Sequence, residues 1–212
     1  MNRRIFIAIN PPENIRKNLA NQQLRWADLP CRWTREENLH ITLAFLGYLN
    51  DEELVELCKI TKEIALRHEP FMISLKKVIY GPDSLRARMV WVEGESSGEL
   101  AELQKDLEAV LPVEKPRRPK GSGLRSRRMV GSPTSASEPK ASEEKESRKY
   151  APHITLGRLK QWEFNKIELE ERPQINEDIS LTFEANSIDV MESDLKRNGP
   201  EYAIIETCQL EN

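Results

Sequence analysis

The sequence predicts an α+β fold, and three observations carry that prediction. Short stretches of strand character outnumber helical ones by about eight to three. They do not alternate regularly with helices, as a doubly wound parallel sheet requires. No glycine-rich phosphate fingerprint follows a strand, so a nucleotide-cofactor fold has no support.

The elements follow in chain order. Residues 4–10 begin with Arg4-Ile5-Phe6-Ile7-Ala8-Ile9, a near-continuous apolar run that reads as a buried strand. Pro11-Pro12 ends it. The run is too short for a signal-peptide core of about 7–15 apolar residues and lacks a small-residue cleavage site. Residues 13–26 set Ile15, Leu19 and Trp26 at helical spacing. Residues 39–47 read as a strand. Residues 51–67 form a helix with Leu54, Leu57, Ile60 and Ile64 on one face, capped by Asn50 or Asp51. Residues 71–80 alternate apolar and polar, and residues 89–93 supply a pairing strand. Residues 98–111 form a helix expected to turn Leu100, Leu103, Leu107, Val110 and Leu111 inward. Strands follow at 153–159, as a pair around 179–191, and at 202–210.

Composition bounds the function classes. The chain has 212 residues, 38% hydrophobic and 32% charged, which excludes a wholly disordered or fibrous protein. A net charge of −3 argues neither for nor against a nucleic-acid partner. No run approaches the ~20 apolar residues that span a bilayer. Cys31, Cys58 and Cys208 are far apart, with no Cys-x-x-Cys pair, which fits a reducing compartment; a cytoplasmic location and no membrane partner are expected.

Residues 114–149 differ from the rest. They contain no aromatic residue, and 14 of these 36 positions are Pro, Gly or Ser. Such a stretch cannot bury enough surface to offset its ordering entropy, so a disordered insertion within a single domain, 1–212, is expected. Its 11 basic and 5 acidic residues give +6, leaving −9 for the other 176 residues. Seven basic residues and no acidic one lie in 115–128. That run reads either as a solvated, variable loop or as an arm attracting RNA phosphates.

The chemistry lies in a repeat. The chain has three histidines, His40, His68 and His153, and two of them open the same tetrapeptide, His-Ile-Thr-Leu. In a strand, side chains alternate between faces. His40 and Thr42 therefore share one face while Ile41 and Leu43 enter the core, and His153, Thr155, Ile154 and Leu156 repeat the arrangement. Were the two strands neighbours, two imidazoles and two hydroxyls would line one cleft. An imidazole titrates near pH 6.5, so one can give a proton while the other takes one. Threonine hydroxyls can donate to the non-bridging oxygens of a phosphodiester. A lone strand histidine is more often structural; repetition in matched contexts favours catalysis. A catalytic zinc usually needs three protein ligands, and His68, read as a surface residue, has no recognisable spacing to the others, so no metal and no cofactor are expected. No Gly-x-Ser-x-Gly elbow is present.

These residues resemble the 2H phosphoesterase superfamily, and within it the RNA 2′,3′-cyclic phosphodiesterases, also called 2′-5′ RNA ligase-like proteins. The likeness rests on the opening strand, on Leu39-His40-Ile41-Thr42-Leu43-Ala44-Phe45-Leu46-Gly47, and on Tyr150-Ala151-Pro152-His153-Ile154-Thr155-Leu156-Gly157-Arg158. It extends to Met191-Glu192-Ser193 and Gly199-Pro200-Glu201-Tyr202. The resemblance implies a bilobal, pseudo-twofold fold: two antiparallel sheets flanking a central cleft, helices outside. It implies metal-independent hydrolysis of RNA or oligonucleotide 2′,3′-cyclic phosphate ends to 2′-phosphomonoesters, with reverse 2′-5′ ligation open; separately, a monomer is expected. His40 would protonate the departing 3′ oxygen, His153 would activate water, and Thr42 and Thr155 would complete the catalytic set. Arg158 reads either as a phosphate contact or as a rim arginine. The insertion departs from the family pattern, and a basic arm beside the cleft would favour RNA ends or obstruct them. Cleavage of 2′-5′ linked oligonucleotides and non-catalytic capture of RNA ends are the competing readings.

Overall fold

The computed structural model describes residues 2–83, 86–111, 152–196 and 199–211. The expectation for 114–149 falls outside them. In chain order the elements are β1 (Arg3–Ile9), α1 (Glu13–Gln23), β2 (Cys31–Trp33), β3 (Ile41–Leu49), α2 (Asp51–Ala65), β4 (Phe71–Gly81), β5 (Met89–Gly94), α3 (Gly98–Val110), β6 (His153–Leu159), α4 (Gln161–Phe164), β7 (Asn176–Ala185), β8 (Ser187–Lys196) and β9 (Gly199–Gln209). The fold is α+β.

The strands run β7-β4-β5-β6-β3-β1-β8-β9, and each of these neighbours pairs antiparallel; short β2 pairs with β6 off this path. Two four-stranded halves meet where β3 pairs with β6 at a single position, Ile41 opposite Ile154. The two halves expected from the resemblance are thus one continuous sheet, joined at the isoleucines of the repeated tetrapeptide.

One face of the sheet packs against helices. Ile15 and Leu19 of α1, Leu54, Leu57 and Ile64 of α2, and Leu100, Leu103 and Leu107 of α3 join Ile41, Ile154, Val90, Val92 and Val190 in one core. Ile41 and Ile154 are fully buried. Cutting either back to Ala leaves a cavity and costs about 2–5 kcal/mol. Helix α2 begins where Asn50 accepts from the backbone N–H of Glu52 and Glu53, while the Glu53 carboxylate accepts from the Asn50 N–H. This capping box fixes the start of the helix. Val110, expected to face inward, is exposed in the last turn of α3. The inward stripe Leu100-Leu103-Leu107 continues to the buried Leu111, and Val110 lies at its edge.

Candidate active site

The repeat builds the site from backbone upward. The Ile41–Ile154 pairing is antiparallel. Continuing that register by one residue sets His40 across from Thr155 and Thr42 across from His153. His40, Thr42, His153 and Thr155 are all partly exposed, whereas Ile41, Leu43, Ile154 and Leu156 are buried. The period of two expected from the sequence therefore holds through both motifs, and it puts the two imidazoles and two hydroxyls on the face opposite the helices.

Beyond the threonines the alternation breaks. Trp91 of β5 faces Thr155 of β6, but Val90 faces Gly157, so Leu156 is an extra residue on β6. Ala8 of β1 faces Thr42 of β3, but Ile7 faces Ala44, so Leu43 is extra on β3. Each bulge lies three residues past its histidine. A bulge flips the parity of the residues after it. Phe45 and Arg158, each five residues past a histidine, therefore return to the face of the histidines. Their strand partners are Phe6 and Met89.

His40 is held on several sides. Its Nδ1 donates to the Asn38 carbonyl at 2.8 Å, which fixes the tautomer, and its Nε2 lies 3.1 Å from Thr42 Oγ1. Asn38 is itself buried and donates from Nδ2 to the Pro200 carbonyl at 3.1 Å. The Phe6 ring centroid lies 5.0 Å from that of His40, and the Tyr202 ring meets it edge-on at 5.1 Å. Burial pushes the His40 pKa below its ordinary value; the Asn38 carbonyl opposes this, and charge on His153 adds to the depression. The two imidazoles are thus near enough to feel each other.

His153 sits differently. Trp91 lies against it with centroids 4.3 Å apart, and Glu93 is its direct partner on β5. Nearby, burial raises the Tyr202 phenol, while the guanidinium groups of Arg158 and Arg4 pull it down. Arg158 thereby stands within electrostatic reach of the ring that packs on His40. Its Nη1 donates to Met89 Sδ at 3.6 Å.

His68 belongs elsewhere. Read as a surface residue, it has a side chain only 11% exposed, with Nε2 3.1 Å from Asp106 Oδ2 of α3. Among the described residues, no three or more His, Cys, Asp or Glu side chains converge on a common point. No helix among them is long and apolar enough to cross a membrane. Sequence reasoning missed Asn38, Phe6, Trp91 and Tyr202 as neighbours of the imidazoles; an aromatic next to a strand histidine has no distinctive spacing.

Comparison with known proteins defines the class first: residues 9–91 and 136–202 match the model of the LigT-like phosphoesterases, and the chain belongs to that family. Among its relatives, an RNA 2′,3′-cyclic phosphodiesterase of Methanocaldococcus jannaschii is 31% identical over 95% of this chain and 98% of its own length. One of the same name from Aquifex aeolicus is 27% identical, over 84% of this chain and 81% of its own. Among solved structures, a Thermus thermophilus protein superposes with a TM-score of 0.69 at 21% identity, covering 98% of this chain and 97% of its own. Escherichia coli LigT, crystallised with 3′-AMP, superposes at 0.68 and 20% identity, with full coverage of both chains. These two likenesses carry the fold.

Proposed function

We propose that this chain hydrolyses 2′,3′-cyclic phosphates at RNA or oligonucleotide ends to 2′-phosphomonoesters by paired histidine acid–base catalysis. The observation that carries the reading is the crossing of the two His-Ile-Thr-Leu strands at Ile41 and Ile154. The names of the relatives support the substrate class.

In the reaction, water attacks phosphorus and gives a proton to His153. The bond from phosphorus to O3′ breaks, and His40 gives its Nε2 proton to O3′. The product carries a 2′-phosphate and a 3′-hydroxyl, and one proton passes from His153 back to His40 through solvent. The hydroxyls of Thr42 and Thr155 donate to the non-bridging oxygens as charge builds there. The Asn38 carbonyl accepts from Nδ1–H of His40 in both protonation states, so the ring keeps its orientation as the proton leaves. Burial alone would leave His40 too readily neutral for an acid. The bound phosphate's negative charge favours the imidazolium and restores the proton. A 5′-hydroxyl in place of water forms a 2′-5′ bond through the same two transfers.

The test is turnover of a nucleoside 2′,3′-cyclic phosphate in excess chelator, with His40→Ala and His153→Ala alongside. Wild-type activity and large losses in both variants are expected. Turnover abolished by the chelator, or binding without turnover, would overturn the reading.

A further inference from the structure

Strand β3 carries a second bulge beyond the one at Leu43. Phe6 of β1 faces Phe45, but Ile5 faces Gly47, so Leu46 is also an extra residue. Gly47 takes φ 77°, a left-handed conformation that glycine adopts at no steric cost. Counted by twos from Phe45, Tyr48 would enter the core. The bulge reverses that and makes Tyr48 the direct partner of Arg4. Arg4 flanks the fully buried Ile5 and so shares the face of Phe6. The reactive face of this half is therefore laid out in rows that lead away from the imidazoles: Thr42 with Ala8, then Phe45 with Phe6, then Tyr48 with Arg4. Phe45 is 49% exposed and Tyr48 66%. Neighbouring Arg3 turns to Asp51 at the start of α2, whereas Arg4 stays over the sheet: burial raises the Tyr202 phenol, and the Arg4 guanidinium opposes the rise. Asp189, a carboxylate on this face, is buried, with Asn10 and Thr207 donating to it.

Exposed rings at successive steps beside a cation make a groove suited to single-stranded nucleic acid, which stacks one base on each ring. The rows of Phe45 and Tyr48 are two residues apart on β1, about 7 Å at strand rise, of the order of one nucleotide in an extended strand. We propose that Tyr48, with Arg4 beside it, stacks the penultimate base of a single-stranded RNA end, so that the enzyme prefers dinucleotide and longer ends to mononucleotides. This rests on the cyclic phosphodiesterase reading, which sets the terminal cyclic phosphate between the imidazoles. Phe45, nearer to them, then takes the terminal base, and the strand leaves along β3 over Tyr48.

The experiment compares kcat/KM for three substrates: a nucleoside 2′,3′-cyclic phosphate, a dinucleotide ending in the same cyclic phosphate, and that dinucleotide with an abasic penultimate residue. The abasic compound keeps the linking phosphate and lacks only the base that would stack. The full dinucleotide should exceed it by about fivefold or more, the strength of one base on one ring. Tyr48→Ala should bring the ratio of full to abasic dinucleotide near one, and Tyr48→Trp should keep or raise it. The ratio is internal to each variant, so loss of folded protein does not mimic the effect. An abasic dinucleotide as good as the full one in the wild type, or an unchanged ratio in Tyr48→Ala, would each overturn the proposal. So would a change of oligomeric state in Tyr48→Ala with the ratio intact, since the ring would then meet a second copy of this chain. No turnover of any substrate would sink the cleavage reading instead. Equilibrium binding of the two dinucleotides then decides the stacking station by itself: weaker binding of the abasic compound supports it, and equal binding overturns it.

Discussion

The two halves of the sheet share a backbone plan and differ in what they carry on it. Read from its edge inward, one half runs β7-β4-β5-β6 and the other β9-β8-β1-β3. A histidine stands at the start of each inner strand, His40 just before β3 and His153 first in β6; each strand gains an extra residue three positions past it and turns the fifth position to the same face. That fifth position is Phe45 in one half and Arg158 in the other. Around His40 the neighbours are the rings of Phe6 and Tyr202 and a backbone carbonyl. Around His153 they are Trp91 and the strand partner Glu93. A duplicated scaffold thus brings two like groups to one face, and under the proposed reaction the divergence of their surroundings is what separates acid from base.

The largest test of that comparison removes what the halves share. His40→Ala and His153→Ala should each lower kcat by about 10²–10⁴-fold. The double variant should lose little more than the worse single, since the two protons move in one event. A loss below tenfold in either single variant would break the equivalence of the halves. A smaller test removes what they do not share. Arg158→Ala should weaken kcat/KM by about ten- to a hundredfold through a lost charge-assisted contact. Phe45→Ala should cost about tenfold, and by an amount that changes with the base, because its ring is 49% exposed beside Phe6 and offers a stacking surface. Equal dependence of both variants on the base would show that the two walls are not specialised.

The repeat was legible in the sequence because strand periodicity is short-range: His40-Ile41-Thr42 carries its own alternation wherever the strand lies. The helices were legible for the same reason, from Leu54-Leu57-Ile64 and Leu100-Leu103-Leu107. Plain alternation fails beyond the threonines. Counted by twos from His153, Arg158 falls on the core face; the extra Leu156 reverses that, and a bulge is fixed by the partner strand's register rather than by local residue type. Short β2 and its Arg32 were invisible, since three residues carry no period and the strand exists only through its pairing with β6. The support of His40 by Asn38 and Pro200 joins positions 162 residues apart, which no local pattern encodes.

The next contrast is in protonation. Burial holds the His40 pKa below its usual value of about 6.5, so the free protein should titrate His40 on the acid side of that figure in a proton NMR titration. Added inorganic phosphate should raise it. The sign for stability follows: as pH falls below about 6.5, the unfolded chain takes up the His40 proton before the folded one does, so stability declines on acidification. His40→Gln should flatten that part of the stability curve. A His40 that titrates above its usual value in the free protein would remove the asymmetry attributed to burial.

The smallest effect should come from behind His153. Trp91 lies over the His153 ring, and its indole in turn occupies the space left by Gly81 on β4. A Cβ at Gly81 would come within 2.3–2.6 Å of three indole carbons, far inside contact distance, so the ring must move. Gly81→Ala should therefore destabilise the fold by about 1–3 kcal/mol, as overpacking does. It should shift the NMR resonances of the His153 ring and slow turnover a few-fold. The His40 resonances should stay in place, because that ring is held by Phe6, Tyr202 and Asn38 from the other half. Gly98→Ala is the matched control: nothing lies within 4 Å of a Cβ there. It should leave both histidines unmoved and stability unchanged or slightly raised, since a helical alanine exceeds glycine by about 0.5–1 kcal/mol. If Gly81→Ala displaced both sets of resonances equally, the two imidazoles would share one mechanical support, and the division of the sheet into two independently furnished halves would fail.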